Sequence, residues 1–182
     1  MRSRVTLVLL AAALAACGQS HRAGRTPKDT VRSLEGALRD GDMGAVYDLI
    51  SAEGQAELEA PLLGFQAALA SVPEERLKAA GLVSFKKMTA REMLVAAAEK
   101  AEDQNPKALD PLRSITIVVT DVKQYDDRAT VKASFLLKGR ARDQTLRLIR
   151  ERGLWKLDGI EAIQSLPMPT APAMPDCSAA SP

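Results

Sequence analysis

The chain has 182 residues, of which 25 are basic and 23 acidic, and 46% of the residues are hydrophobic. This length and composition are typical of one globular domain, and the near balance of charge argues against a general attraction to nucleic acid. Aromatic residues make up only 3% of the chain, so we expect a core built mainly of alanine, leucine and valine.

Residues 1–16 have the pattern of a secretory signal peptide. Arg2 and Arg4 precede an uncharged run from Val5 to Ala16. This run is too short to cross a bilayer, because a spanning helix needs about 20 residues. The leader holds two of the basic residues and none of the acidic ones, so the chain that follows it has no formal net charge.

The end of the leader, Leu14-Ala15-Ala16-Cys17-Gly18, resembles the lipobox of bacterial lipoproteins. The resemblance implies cleavage between Ala16 and Cys17, diacylglycerol on the Cys17 thiol and acylation of the new amine. Such an anchor is stable, because each buried methylene contributes about 0.8 kcal/mol. In these lipoproteins an aspartate after the cysteine tends to retain the protein at the inner membrane. Gly18 stands there, which implies the periplasmic face of the outer membrane. The alternative is a secreted protein with an incidental cysteine.

Residues 17–25 are predicted to be a flexible tether and residues 166–182 a disordered tail. The tether contains His21, the only histidine of the chain. The tail is rich in proline and alanine and cannot bury enough apolar surface to order itself. Cys177, in this tail, is the only thiol left once Cys17 is lipidated, so an intramolecular disulfide is excluded. Cys177 could pair between chains or be an incidental exposed thiol.

Residues 26–165 are predicted to form one domain that begins with helices. Thr26-Pro27 supplies an N-cap and a first helical residue, and Gly41 ends that helix. Asp42 can cap a second helix. The sequence Asp40-Gly41-Asp42 therefore predicts a corner between two short helices.

The chain beyond this corner predicts interrupted helices. Pro61 is expected to separate two helical pieces, and Pro73 is expected to begin another short helix. Residues 82–88 are predicted to be extended. Thr89-Ala90-Arg91-Glu92 is a capping box and predicts a regular helix, which Asn105-Pro106 closes.

From residue 114 onward the apolar period changes from helical spacing to alternation. Four alternating segments are separated by turns at 125–128, at 139–143 and at Arg152-Gly153. Strands with such short connections form an antiparallel meander. Helices followed by a meander predict an α+β fold, with the helices packed on a four-stranded antiparallel sheet.

Two stretches resemble nuclear transport factor two-like domains. Residues 37–49, which contain the Asp-Gly-Asp corner, are similar to the opening helices of that family, and residues 154–160 are similar to its closing strand. The resemblance covers about residues 26–164 and implies a cone in which a curved sheet wraps around helices, often with an apolar cavity. Members include enzymes and non-catalytic binding domains, so the fold leaves the function open. The helical segment 51–81 departs from the family pattern and could fill or cap the cavity.

Several chemistries are excluded inside the domain by the residue types present. The only histidine lies in the tether, which rules out Ser-His catalysis and histidine-based zinc sites. The chain has no phosphate-binding glycine loop. The turn at 125–128 has two adjacent acids and a cation, which is not a calcium-binding pattern. We therefore predict no cofactor and no metal.

Tyr47, Asp48 and Trp155 form the candidate pocket. A carboxylate and a hydroxyl in an apolar cavity can act as base and hydrogen-bond donor. Tyr47 beside Asp48 on an amphipathic helix is more often a core-edge tyrosine next to a solvated acid, and Trp155 is most simply a sheet-core anchor. The same residue types recur at Asp121, Tyr125 and Asp158.

Charge is distributed unevenly along the chain. Residues 29–60 hold eight acids and two bases, whereas residues 131–156 hold eight bases and two acids. We predict a basic surface that meets an anionic envelope component, such as a phospholipid headgroup, lipopolysaccharide, a teichoic-type polymer or an acidic protein. The alternative is a solvated sheet face with local ion pairs. The candidate residues are Lys132, Lys138, Arg140, Arg142, Arg147 and Lys156.

These observations predict a periplasmic lipoprotein, held to the membrane through Cys17, whose domain is a non-catalytic binding or scaffold module. Its expected partners are the membrane and an envelope protein or anionic component, not nucleic acid. The alternative is a small-molecule enzyme or carrier that uses the family cavity. A cavity plugged by Phe65, Leu69 or Phe85 would favour the scaffold, and a convergent polar cluster would favour the enzyme.

Overall fold

The computed structural model describes residues 22–159, in which helices precede a four-stranded sheet. The signal peptide, residues 17–21 of the predicted tether with Cys17, and the whole predicted tail, 166–182, with Cys177 lie outside the described residues. Among the residues described, no helix combines the length and the apolar character that a membrane span requires. The helices are α1 (Pro27–Asp40), α2 (Met43–Asp48), α3 (Ala52–Ala70), α4 (Glu74–Ala79), α5 (Ala90–Gln104) and α6 (Asp110–Arg113). The strands are β1 (Thr116–Tyr125), β2 (Arg128–Leu137), β3 (Arg140–Glu151) and β4 (Leu154–Leu157).

The four strands pair in the order β1-β2-β3-β4, and every pairing is antiparallel. The predicted α+β class and the meander are therefore confirmed. The predicted turn at 139–143 was wrong, because β3 already begins at Arg140 and only Lys138 and Gly139 turn. Both have positive φ, 48° and 76°, and a two-residue turn of that hand matches the twist of the flanking strands.

The predicted helical corner is confirmed. The Thr26 hydroxyl accepts the Asp29 N–H at 3.2 Å, and Pro27 occupies the first turn of α1. Gly41 ends α1 with φ at 71°, a conformation that glycine adopts without strain. The Asp42 carboxylate then accepts the Ala45 N–H at 2.8 Å and caps α2.

The predicted helix break at Pro61 was wrong, because α3 runs unbroken through it. Proline removes one backbone donor and crowds the preceding turn, but it does not forbid a helix. Pro61 is exposed, and of the α3 residues only Gly54 and Leu69 are buried. The carbonyl that loses its partner can therefore be hydrated, which lets the helix continue.

The predicted extended segment 82–88 was also wrong, since Ser84–Lys87 form a 3-10 turn. The Gln66 side chain of α3 donates to the Phe85 carbonyl at 3.1 Å and to the Met88 carbonyl at 2.6 Å. These bonds satisfy the two carbonyl groups, which in a β-strand would accept hydrogen bonds from a neighbouring strand. The capping box just after this segment is confirmed, because Thr89 and Glu92 exchange both expected hydrogen bonds.

The core lies between α1, α2 and one face of the sheet. Val31, Leu34 and Leu38 of α1 are at most 1% exposed and belong to the same buried cluster as the inward residues of the strands. The chain between α2 and α3 also extends the sheet beyond β4. The Leu157 N–H donates to Leu49 O, and the Ser51 N–H donates to Leu157 O, each at 2.8 Å.

Gly24, within the stretch that the sequence assigns to the tether, is hydrogen-bonded into the domain. The Gly24 N–H donates to Thr30 Oγ1 at 3.0 Å, and its carbonyl accepts the Trp155 N–H at 2.9 Å. The Thr30 hydroxyl, fully buried, donates to the Trp155 carbonyl at 2.8 Å. A Cβ on Gly24 would overlap the Asp29 side chain, so this position accepts only glycine. We call this arrangement of Gly24, Thr30 and Trp155 the N-terminal clamp.

Candidate functional site

The three candidate pocket residues point to different surroundings. Trp155 is 1% exposed and belongs to the core cluster. Tyr47 is also buried, and its hydroxyl donates to Glu59 Oε1 on α3 at 2.9 Å. Asp48, the next residue, is exposed and faces Arg91. The structure therefore separates the three instead of gathering them around one cavity.

The Tyr47 hydroxyl is held in its neutral form. Burial is the main cause that raises the pKa of Tyr47 to about 12, and the hydrogen bond to Glu59 adds to it. At neutral pH this phenol is a fixed donor to a carboxylate. Its contacts are those of a residue that joins α2 to α3.

An open cleft of ≈ 320 Å³ lies between α2, the start of α5 and β4. The outward side of α2 contributes Asp48, the first turn of α5 contributes Arg91, and β4 contributes Lys156. We call it the Asp48 cleft. Its lining residues are Arg22, Ala23, Asp42, Ala45, Asp48, Arg91, Leu154 and Lys156.

Asp48 is the centre of the polar contacts in this cleft. Arg91 Nε lies 3.1 and 3.2 Å from the two carboxylate oxygens, and Arg91 Nη2 lies 3.0 Å from Oδ2. The hydrogen bond to Asp48 is the main cause that raises the pKa of Arg91. Lys156 Nζ donates to the Asp48 backbone carbonyl at 2.6 Å.

Two residues of this arrangement had no functional role in the sequence analysis. Arg91 was noted only as part of the capping box, yet the cap directs its side chain toward α2. Gly44 faces it, and a Cβ there would lie 2.8 Å from Arg91 Nη2. Gly44 is the second residue of α2, and a glycine inside a short helix, where it adds no side-chain packing, was the available signal for a close approach.

A second cleft, of ≈ 390 Å³, lies on the outward face of the sheet around Lys132. A β-bulge between Val119 and Asp121 interrupts the ladder there, and the Thr120 hydroxyl donates to the Lys132 carbonyl at 3.1 Å. The Ser134 hydroxyl donates to Asp143. Its lining residues are Thr120, Lys132, Ala133, Ser134, Asp143, Gln144 and Thr145.

The six residues of the predicted basic surface lie in different places. Lys132 and Arg147 are on the outward face, opposite Thr145 and Thr130. Arg142 pairs with Phe135, whose side chain is buried, so Arg142 lies on the helix-facing side.

The other members of that set lie at the sheet ends and in the Asp48 cleft. Lys138 and Arg140 are at the β2–β3 turn, and Lys156 is in the Asp48 cleft. Asp121 pairs with Lys132 across β1 and β2, so the outward face also carries acids. Tyr125 is 70% exposed at the end of β1, and Asp158 follows β4.

Within residues 22–159, no group of three His, Cys, Asp or Glu side chains is placed to hold a metal ion. The polar groups that converge in the described part are the Asp48–Arg91 pair with Lys156, and the hydroxyls around Lys132. Both arrangements can bind polar or charged ligands. Neither places an acid beside a free base in an apolar setting.

No protein-family model matches the sequence, and no curated protein matches it. Among solved structures, the chain is similar to a Campylobacter jejuni protein described as an NTF2-like transpeptidase. The two share 13% sequence identity with a TM-score of 0.37, over 73% of this chain and 97% of the other. At these values the likeness assigns neither a family nor a function. Membership of the nuclear transport factor two-like family stays a prediction from the sequence.

Proposed function

We propose that the chain is an envelope lipoprotein, held at the periplasmic side of a bacterial membrane by lipid on Cys17. The outer membrane is favoured, because Gly18 and not an aspartate follows the cysteine. The domain serves as a non-catalytic binding or scaffold module. The observation that carries the anchoring is the lipobox-like sequence at residues 14–17, directly after a charged and then apolar leader.

The packing of the described residues supports a binding role over catalysis. The space between α1 and the sheet is filled by side chains at most 1% exposed, among them Leu34, Leu146 and Trp155. The Tyr47 hydroxyl is committed to Glu59 and the Asp48 carboxylate to Arg91. Use of either group as an acid or base in a small-molecule reaction would require that group to give up its contact.

The open polar clefts support binding of a charged or hydroxyl-rich partner. Lys132 and Arg147 on the outward sheet face remain candidates for contact with an anionic envelope component. The acids Asp121 and Asp143 on the same face favour a partner that carries both signs of charge, as an envelope protein does, over a uniformly anionic polymer.

Replacement of the lipidated cysteine tests the anchoring. Wild-type protein is expected in the membrane fraction after a high-salt wash and in solution only after detergent treatment. Cys17→Ser is expected to lose membrane attachment, whereas Cys177→Ser keeps it and serves as the matched control. A mature wild-type N-terminus without acyl chains, or membrane attachment of Cys17→Ser, contradicts the proposal.

Native mass spectrometry of the detergent-solubilised protein tests the binding role. Co-purification with a defined envelope protein supports a scaffold. A small molecule bound at a reproducible mass, and retained by variants with altered surface charge, would instead favour an enzyme or carrier.

A further inference from the structure

We infer that the Asp48 cleft faces the bilayer that holds the lipid anchor, and that its cations, with Arg25, bind the phosphates of anionic phospholipids. This inference rests on the proposed lipidation of Cys17. It goes beyond that proposal because it assigns the face with the Asp48 cleft to the membrane. The outward face of the sheet then remains available to other partners.

The first argument is the short reach of the tether. The N-terminal clamp fixes the backbone at Gly24 through hydrogen bonds to Thr30 and Trp155. Cys17 lies seven positions before Gly24. An extended chain spans at most about 3.6 Å per residue, so Gly24 stays within roughly 25 Å of the lipidated cysteine.

The second argument is the position of the cleft relative to the clamp. Arg22 and Ala23, the two tether residues directly before Gly24, themselves line the cleft, and Leu154 lines it beside the clamped Trp155. The β2–β3 turn lies at the opposite end of β3, a strand of 12 residues. At about 3.3 Å per residue this turn is roughly 36 Å away along the strand. The tether therefore holds the cleft close to the bilayer and places no such restraint on the β2–β3 turn.

The third argument is the charge around the cleft. Three cations line it, Arg22, Arg91 and Lys156, against the two acids Asp42 and Asp48. The exposed Arg25 follows the clamp directly. Arg91 pairs with Asp48, but its side chain stays 48% exposed, so part of the guanidinium remains open to a phosphate. Leu154, 38% exposed, adds an apolar contact at the rim.

The test uses full-length lipidated protein in vesicles of phosphatidylglycerol and phosphatidylcholine that carry a headgroup quencher. A fluorophore is attached through Leu154→Cys or through Arg140→Cys, each in a Cys177→Ser background. We expect strong quenching of the label at position 154 and weak quenching at position 140. Equal quenching at both positions overturns the inference.

Charge reversal separates binding from proximity. Each basic residue near an anionic surface favours binding by about fivefold, so Arg22→Glu with Arg25→Glu should lower the equilibrium constant for docking by at least that factor per residue. Lys138→Glu with Arg140→Glu removes the same charge far from the tether and should leave quenching at position 154 unchanged. Replacing phosphatidylglycerol by phosphatidylcholine should weaken docking in the same way as Arg22→Glu with Arg25→Glu. The inference is overturned if quenching at position 154 is unchanged both by Arg22→Glu with Arg25→Glu and by the change of lipid.

A longer tether provides a second check. With a glycine-serine insertion after Ser20, charge-dependent quenching at position 154 should persist, because contacts between the cations and lipid phosphates hold the cleft at the membrane even when the tether is long. Its complete loss would mean proximity without binding and overturns the inference. The mass of the N-terminal peptide is read on the same samples. Absence of lipid there contradicts the proposed function, whereas lipid without docking contradicts only this inference.

Discussion

Thr30 shows how one hydroxyl joins the start of the domain to its last strand. Its Oγ1 accepts from the Gly24 N–H and donates to the Trp155 carbonyl, 125 positions along the chain. The side chain is fully buried, where unpaired polar groups are costly. The sequence shows only a threonine in the first turn of an amphipathic helix. Helical spacing does not indicate a contact with Gly24 or Trp155, which lie six and 125 positions away.

Thr30→Val should therefore destabilise the domain. The substitution keeps the side-chain shape and leaves the Gly24 N–H and the Trp155 carbonyl without this partner. We expect a loss of about 1–3 kcal/mol in the free energy of unfolding, measured by urea denaturation. Thr30→Ser keeps the hydroxyl and should retain most of the stability. A Thr30→Val loss below about 0.5 kcal/mol would mean that the clamp contributes little.

The raised pKa of Tyr47 predicts how the free energy of unfolding depends on pH. Its folded pKa of about 12 lies above the ordinary value of 10.0, so its stabilising contribution is present below pH 10 and is lost as the pH rises toward 12. Tyr47→Phe removes the titrating group. The difference in unfolding free energy between wild type and Tyr47→Phe should shrink over this range, as measured by denaturation at a series of pH values. A constant difference would contradict the burial of a neutral phenol.

At the scale of elements, the helix that most departs from its sequence pattern is α3. Its 19 residues carry a proline near the middle, and only Gly54 and Leu69 are buried. Such a helix receives little support from packing, so its own backbone hydrogen bonds contribute much of its stability. Pro61 removes one of those bonds at an exposed position.

Pro61→Ala should stabilise this helix. The new N–H can donate to the Glu57 carbonyl, and proline is about 3 kcal/mol less favourable than alanine inside a helix. We expect a gain of at least about 1 kcal/mol in local stability, read from slower amide hydrogen exchange in residues 57–66. Ala67→Gly in the same helix should change exchange in the opposite direction. Unchanged or faster exchange in Pro61→Ala would contradict a continuous α3.

The strands were easier to predict than the helical insert, for a physical reason. A strand with one buried face alternates residue by residue, and Ala129, Val131, Ala133 and Phe135 of β2 are each at most 5% exposed. Segment 82–88 has no such pattern, and its conformation depends on Gln66 from another helix. Local spacing cannot show a contact that is set by the packing of α3.

At the scale of the whole molecule, stability is concentrated in the core between α1, α2 and the sheet. Leu34 is 0% exposed there, whereas Leu63 on α3 is 63% exposed. The two leucines have equal volumes but different surroundings. Their substitutions therefore compare core and surface within one protein.

Leu34→Ala should cost about 2–5 kcal/mol of unfolding free energy, because it removes buried methyl groups and leaves a cavity. Leu63→Ala should stay within about 0.5 kcal/mol of wild type. Thermal or urea unfolding of the two variants measures both values. Similar losses would mean that the α3 surface is covered, for example by a partner or a second copy.

The candidate site was only partly predictable. Asp48 and Lys156 were both named from the sequence, but in separate sets, one as a pocket acid and the other as a basic-surface residue. The structure places them in one cleft with Arg91. Residues 43 and 108 positions apart meet there, a proximity that neither helical nor strand spacing indicates.

The sequence by itself determined the helix caps, the Asp-Gly-Asp corner, the four alternating strands and hence the α+β class. These features depend on neighbours a few residues away, through capping bonds, backbone restrictions and side-chain period. The lipobox-like leader is equally local and predicts the anchor. Only the tertiary structure decided that α3 passes through Pro61 and that Asp48, Arg91 and Lys156 share a cleft. Those outcomes depend on which distant surfaces pack together, and the free energy of that packing is a property of the assembled fold.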